Sequence, residues 1–192
     1  MRGSSSMFVA AGLFALGANL AQAQIADSLW IGTDNTSGRL VLNTDRSGNV
    51  LRSVGPVEAT GFGIDLSSNT IYFAQSVGVI TARDLTTLAT GSSFSAGGTE
   101  DMTLGGGFLW RAGKVGPAAS ATIVKIDPVT HASSSAFNVP FLALGIAWDG
   151  SGLWISEFTG ARLVQRFEIR GRGFFEVLCP GGRGEAGKGS DD

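Results

Sequence analysis

Few residues in this chain are of the types that chemistry needs. Its only histidine is His131 and its only cysteine is Cys179. A nucleophile and its base must lie within hydrogen-bond reach of each other, and a lone His with no second one assigns no such pair. One Cys and one His also exclude, within one chain, a disulfide framework, a zinc finger and a Cys/His cluster. Acids are better represented. Asp65, Glu100, Asp101, Asp149 and Glu157 are the candidates for a hard-cation or acid–base site. Such a site needs several oxygens converging on one point. These acids stand at different offsets within the repeats described below, so no convergence is expected. Asp149 opens Asp149-Gly150-Ser151-Gly152, where an Asp serves most simply as a turn residue. His131 follows Asp127-Pro128-Val129-Thr130 and reads as a solvated loop residue. Gly105-Gly106-Gly107 lacks the spacing of a phosphate loop and precedes no predicted helix. Asn35-Thr36-Ser37 matches a glycosylation acceptor, which matters only in a eukaryotic secretory route. No catalytic, cofactor-binding or metal residue is therefore assigned, no cofactor is expected, and the chain reads as a non-enzyme.

The elements that would position these residues are short strands. Gly supplies 29 of 192 residues and charged residues only 16%, a composition that favours strands and turns over a helical bundle. Hydrophobic residues reach 43%, enough for a core, and the net charge of −2 offers no footprint for nucleic acid. The chain repeats itself. Leu29-Trp30-Ile31, Ile71-Tyr72-Phe73, Leu109-Trp110-Arg111 and Leu153-Trp154-Ile155 recur about every 40 residues. Downstream of each comes a segment that opens on two aliphatics and closes on an acid: Leu40 to Asp45, Val79 to Asp84, Ile123 to Asp127 and Leu163 to Glu168. Ahead of the last three aromatics stand Gly63 to Leu66, Asp101 to Leu104 and Gly145 to Trp148, joined to them by tight-turn sequences. A more polar segment closes each unit, at Asn49 to Val54, Leu88 to Ser95 and Ala132 to Val139. Four short strands in about 40 residues are the content of one β-propeller blade. A single blade has two apolar faces and hides neither alone. Stacking blades buries face on face, so Trp30, Tyr72, Trp110 and Trp154 are expected between blades. The alternative fold is a β-sandwich, which also spaces strands regularly but does not require the same four-strand cycle to recur.

The ends read differently. Arg2 precedes an apolar run from Met7 to Leu20, and Ala21-Gln22-Ala23 fits a signal-peptidase site, so residues 1–23 are expected to be a secretory signal peptide. The alternative is an uncleaved anchor, but the run is short of the roughly 20 apolar residues a spanning helix needs. A secreted or periplasmic location follows, with no stable membrane span after cleavage. Residues 24–169 are the blade repeats: about three blades and part of a fourth, an all-β array expected to form an incomplete ring. The first blade's inner strand would fall inside the signal peptide. Residues 170–192, with Cys179, are expected to be a flexible or out-of-frame Gly/Arg-rich tail with no turn-plus-strand pattern, in a truncated chain.

The segment Leu144 to Glu157, with Trp148-Asp149-Gly150-Ser151-Gly152-Leu153-Trp154 at its centre, resembles the inner-strand, turn and second-strand unit of NHL-like and virginiamycin B lyase-like propellers. Gly61 to Phe73 resembles it a second time. The resemblance spans Leu29 to Ile169 and implies blade architecture. It implies no activity, because the shared residues are structural and the lyase type's catalytic His belongs to a late blade this chain does not reach. The resulting expectation is a secreted, non-enzymatic scaffold that binds an unknown protein or small molecule, with self-association through exposed blade faces. The alternatives are a fragment of a lyase- or lactonase-type propeller enzyme lacking its active-site blades, and a non-functional truncated product.

Overall fold

A computed structural model describes residues 28–32, 39–55, 57–99, 101–114, 120–157, 164–170 and 174–178. Among them are fifteen β-strands in four antiparallel sheets, taken in chain order. The first sheet holds β1 (Leu29–Gly32), β2 (Val41–Thr44) and β3 (Val50–Val54). The second runs β4 (Gly61–Asp65), β5 (Thr70–Ala74), β6 (Val79–Asp84) and β7 (Thr90–Ser95). The third runs β8 (Asp101–Gly105), β9 (Phe108–Lys114), β10 (Ala121–Ile126) and β11 (Ser133–Val139). The fourth runs β12 (Ala143–Trp148), β13 (Gly152–Glu157), β14 (Val164–Arg170) and β15 (Phe174–Leu178). Each sheet is a simple meander, the form that hairpin turns of a few residues permit.

The described residues form an all-β, propeller-type array of blades that does not close into a ring. The inner strands carry it: β4 lies against β8, and β8 against β12. Short residues allow that approach. A Cβ on Gly63 of β4 would come within 2.6 Å of Leu109 in the next sheet. Between the sheets lie three apolar layers. Val41, Ile71, Phe73 and Leu85 form the first, with Trp30 packed on it; Tyr72, Ile80, Met102, Leu109 and Ile126 lie in the second. Trp110, Phe141, Ile146, Leu153, Ile155 and Phe167 lie in the third. Each large side chain buried this way contributes about 1.5–3 kcal/mol, which is what holds one sheet on the next.

Two expectations need correcting. The four aromatic positions are not equally buried. Tyr72 and Trp110 are, at 7% and 2% exposure, whereas Trp30 and Trp154 are half-buried. Both belong to outermost sheets, and Trp154 faces away from the third layer. The strand pattern also does not stop at residue 169. β15 pairs with β14 in the register Arg166↔Leu178 to Arg170↔Phe174 and completes the fourth sheet. An edge strand is held by backbone ladder bonds to a single neighbour, so it can form without the side-chain repeat that marks the other strands. Residues 1–23, expected as a signal peptide, and Asn35-Thr36-Ser37, Glu100 and Cys179 lie outside the described residues.

Candidate functional site

The two ends of the sheets have different chemistry. At one end the chain turns on aspartates. Asp65 ends β4 and Asp149 follows β12, both inner strands; Asp45 follows β2, Asp84 ends β6 and Asp127 follows β10. Each carboxylate accepts backbone N–H groups two to four residues on: Ser47 and Asn49 for Asp45, Ser67 for Asp65, Thr87 for Asp84, Thr130 for Asp127, Gly152 for Asp149. These are Asx-type turns. The carboxyls of Asp45, Asp84 and Asp127 lie below their ordinary value, Asp45 chiefly through the Asn49 side-chain amide and Asp84 and Asp127 chiefly through the N–H groups of Thr87 and Thr130. At Asp149 the largest cause is the Arg166 guanidinium, bonded at 2.6 Å, with Ser151 and Gly152 N–H adding to it. Trp154 Nε1 also donates to Asp149, at 2.9 Å. Asp65 is therefore satisfied within its own turn, and Asp149 by its turn together with Trp154 and Arg166 of the adjoining strands.

The opposite end carries a cavity of about 690 Å³. It opens where β1 ends at Gly32, β4 is entered through Thr60, β8 begins at Asp101 and β13 closes past Ser156. Arg39 and Glu58 form an ion pair on its wall. Glu58 also accepts the Ser76 N–H at 3.0 Å, and Ser76, then Arg39, hold its carboxyl below the ordinary value. Thr60 Oγ1 lies 3.2 Å from the Ala74 carbonyl and 3.1 Å from that of Thr99, tying the entry of β4 to the start of the third sheet. Asp101 is the most buried acid here. Its carboxylate accepts the Met102 N–H at 2.7 Å and, across to β12, the Ile146 N–H at 2.9 Å. Burial pushes it up to about 6, with the two N–H donors pulling the other way.

Of Asp65, Asp101, Asp149 and Glu157, the singled-out acids among the described residues, Asp101 alone lines this cavity. Glu157 ends β13 at the same end but is not part of the lining. Among the described residues, no three His, Cys, Asp or Glu side chains group as a metal would require. Arg39 and Glu58 were not foreseen: they stand in connecting segments that the repeat does not mark. His131 does sit in a turn, with φ of 60°, but its ring is not simply solvated. It stacks on Phe94 of the neighbouring sheet, centroids 4.0 Å apart and planes 10° from parallel. The described cavity offers hydroxyls, backbone amides, one internally neutralised ion pair and the Asp101 carboxyl. That set can hydrogen-bond a ligand, and it contains no paired nucleophile and base.

No family model matches the sequence, and no curated protein matches it. Solved structures do resemble it. The RRP9 WD40 repeats superpose with a TM-score of 0.53 at 9% identity, over 79% of this chain and 47% of that one. A glutaminyl cyclase from Myxococcus xanthus gives 0.53 at 12% identity, over 73% and 60%. The Cps50 (Swd1) β-propeller domain from Myceliophthora thermophila gives 0.50 at 10% identity, over 77% and 63%. At these identities the likeness is one of fold, and it confirms the propeller architecture. The chain spans roughly half the length of the propeller chains it matches.

Proposed function

We propose that this chain is a secreted, non-enzymatic propeller scaffold that holds a ligand or partner at the cavity end of its sheets. One observation carries the reading: the charged groups of the cavity wall and Thr60 already have partners within the protein. Glu58 is engaged by Arg39 and Ser76, Asp101 by two N–H groups, and Thr60 lies in reach of two carbonyls. Such groups make a preorganised surface with little conformational cost on binding, not a poised base. The secreted location rests on the leader-like residues 1–23, and the NHL-like resemblance agrees with a repeat scaffold. WD40 repeats share the fold, and fold alone does not carry function.

A second reading is a propeller enzyme of lyase or lactonase type. Asp101 favours it: a cavity carboxyl raised to about 6 carries its proton close to neutral pH, and the fold hosts an enzyme in the Myxococcus xanthus glutaminyl cyclase. Thermal unfolding with and without Ca²⁺ or Mg²⁺ separates the two. The scaffold reading expects no more than a nonspecific shift. A large stabilisation by one divalent ion, lost in Asp101→Asn, moves the assignment to the enzyme.

A further inference from the structure

The three internal sheet interfaces are built on one plan. The second-strand aromatic turns towards the following sheet and shares an apolar layer with residues of that sheet's own second strand. Trp30 packs with Ile71 and Phe73, Tyr72 with Leu109, and Trp110 with Leu153 and Ile155. An outer-strand residue crosses as well. Arg52 donates to the carbonyls of Leu85 and Thr86, Phe94 stacks on His131, and Phe137 lies 5.1 Å from Phe167.

The plan continues one step beyond each end. On the fourth sheet, Trp154 takes the place of Trp30, Tyr72 and Trp110, with no following sheet beneath it among the described residues. On the first sheet, Leu29 and Ile31 take the places of Ile71 and Phe73, and they are 56% and 44% exposed. Five of the ten large hydrophobics exposed among the described residues lie between 29 and 51, so apolar surface is concentrated on this sheet. On the Trp154 face of the fourth sheet lies a recess of about 260 Å³, lined by Ala147, Trp154 and Val164 and sharing Asp101, Gly145 and Ser156 with the cavity described above. Its place in the plan is specific. Ala147 pairs with Trp154 as Gly63 pairs with Tyr72. Against Gly63 lies Leu109 of the following sheet, and Leu29 is the counterpart of Leu109.

We propose that the fourth sheet of one molecule packs on the first sheet of a second copy, head to tail, with the second copy's Leu29 in the recess beside Ala147 and Trp154. This contact repeats the three internal ones, which is why a second copy fits it. A head-to-tail contact either closes a ring or grows a filament. In a closed dimer the contact is made twice, each copy giving its fourth sheet to the other's first. The proposal is independent of the scaffold reading.

Light scattering on the full chain gives the first test: twice the 19.8 kDa of one chain is expected. Leu29→Asp, an exposed change, converts the dimer to a monomer with an unchanged far-UV spectrum. Direction is read in a Cys179→Ser background. Leu29→Cys and Ala147→Cys proteins, mixed and oxidised, form a covalent dimer that neither forms alone. A monomer at tens of micromolar, covalent dimers from Leu29→Cys alone, or a dimer indifferent to Leu29→Asp overturns the proposal. The first of these results leaves the faces to other residues of a longer chain, and the second makes the contact symmetric.

Discussion

At the scale of single residues, two aspartates act with opposite sign. Asp101 holds its proton to about 6, above the 3.8 of an unperturbed carboxyl, because burial outweighs its two N–H bonds. The native state therefore binds this proton more tightly than the unfolded chain does. Its contribution is most favourable below pH 4 and falls as pH rises towards 6, by about 2–3 kcal/mol in all. Urea unfolding of the wild type and Asp101→Asn should show it: the wild type's stability relative to the variant drops by that amount from pH 4 to 7. A difference that stays flat with pH rejects the assignment. Asp149 runs the other way. Arg166 and the turn amides depress its pKa, so its contribution is in place above pH 4 and disappears as pH falls through the depressed value. Asp149→Ala should lower the melting temperature at pH 7 and leave it nearly unchanged in strong acid. The turn role of Asp149 was legible from Asp-Gly-Ser-Gly, because a local bond needs only local sequence. Asp101 was legible as a candidate but not as a clasp, since its partner Ile146 lies 45 positions along the chain. Arg39 and Glu58 left no mark, because an ion pair between two connectors has no period.

At the scale of elements, small residues set the spacing between blades. Gly105 ends β8 directly beneath the indole of Trp148 on β12, and a Cβ there would collide with the ring. The ring is wedged by its parallel neighbour Trp110, whose Nε1 donates to the Gly105 carbonyl at 2.9 Å. Gly105→Ala should therefore cost about 1–3 kcal/mol, the usual range for overpacking. Trp110→Ala should cost about 3–5 kcal/mol by leaving a cavity in the third layer. Denaturant midpoints measure both; an unaffected Gly105→Ala protein would mean that the third and fourth sheets slide freely. The strands that face two apolar layers were the ones legible beforehand, because their aliphatic-aromatic pattern is imposed by both neighbours. Their limits moved by only a residue or two, as where β7 starts at Thr90 instead of Leu88. β15 was missed because its flanks are Arg- and Gly-rich and it answers to one neighbour only.

At the scale of the whole molecule, each sheet leans on the sheets beside it. Stability in such arrays is approximately a sum over neighbouring units. Among the described residues, the second and third sheets are covered on both faces and the first and fourth on one. Amide hydrogen exchange should accordingly be slowest in β5 and β9 and faster in β1 to β3, with the order read by mass spectrometry of peptides from each sheet. Equal protection throughout would show that the array opens only as a unit. The dimer inferred above changes this pattern in a defined way, since it covers the outer faces and should slow exchange in β1 and β13 as concentration rises.

The two indoles at the third layer lie 6.4 Å apart and within 5° of parallel. Chromophores held that close share their excitations, and any small skew between their transition moments gives circular dichroism a paired positive and negative band. That optical signature depends on one blade staying seated on the next, so it would dim as soon as they part, even with every strand still intact.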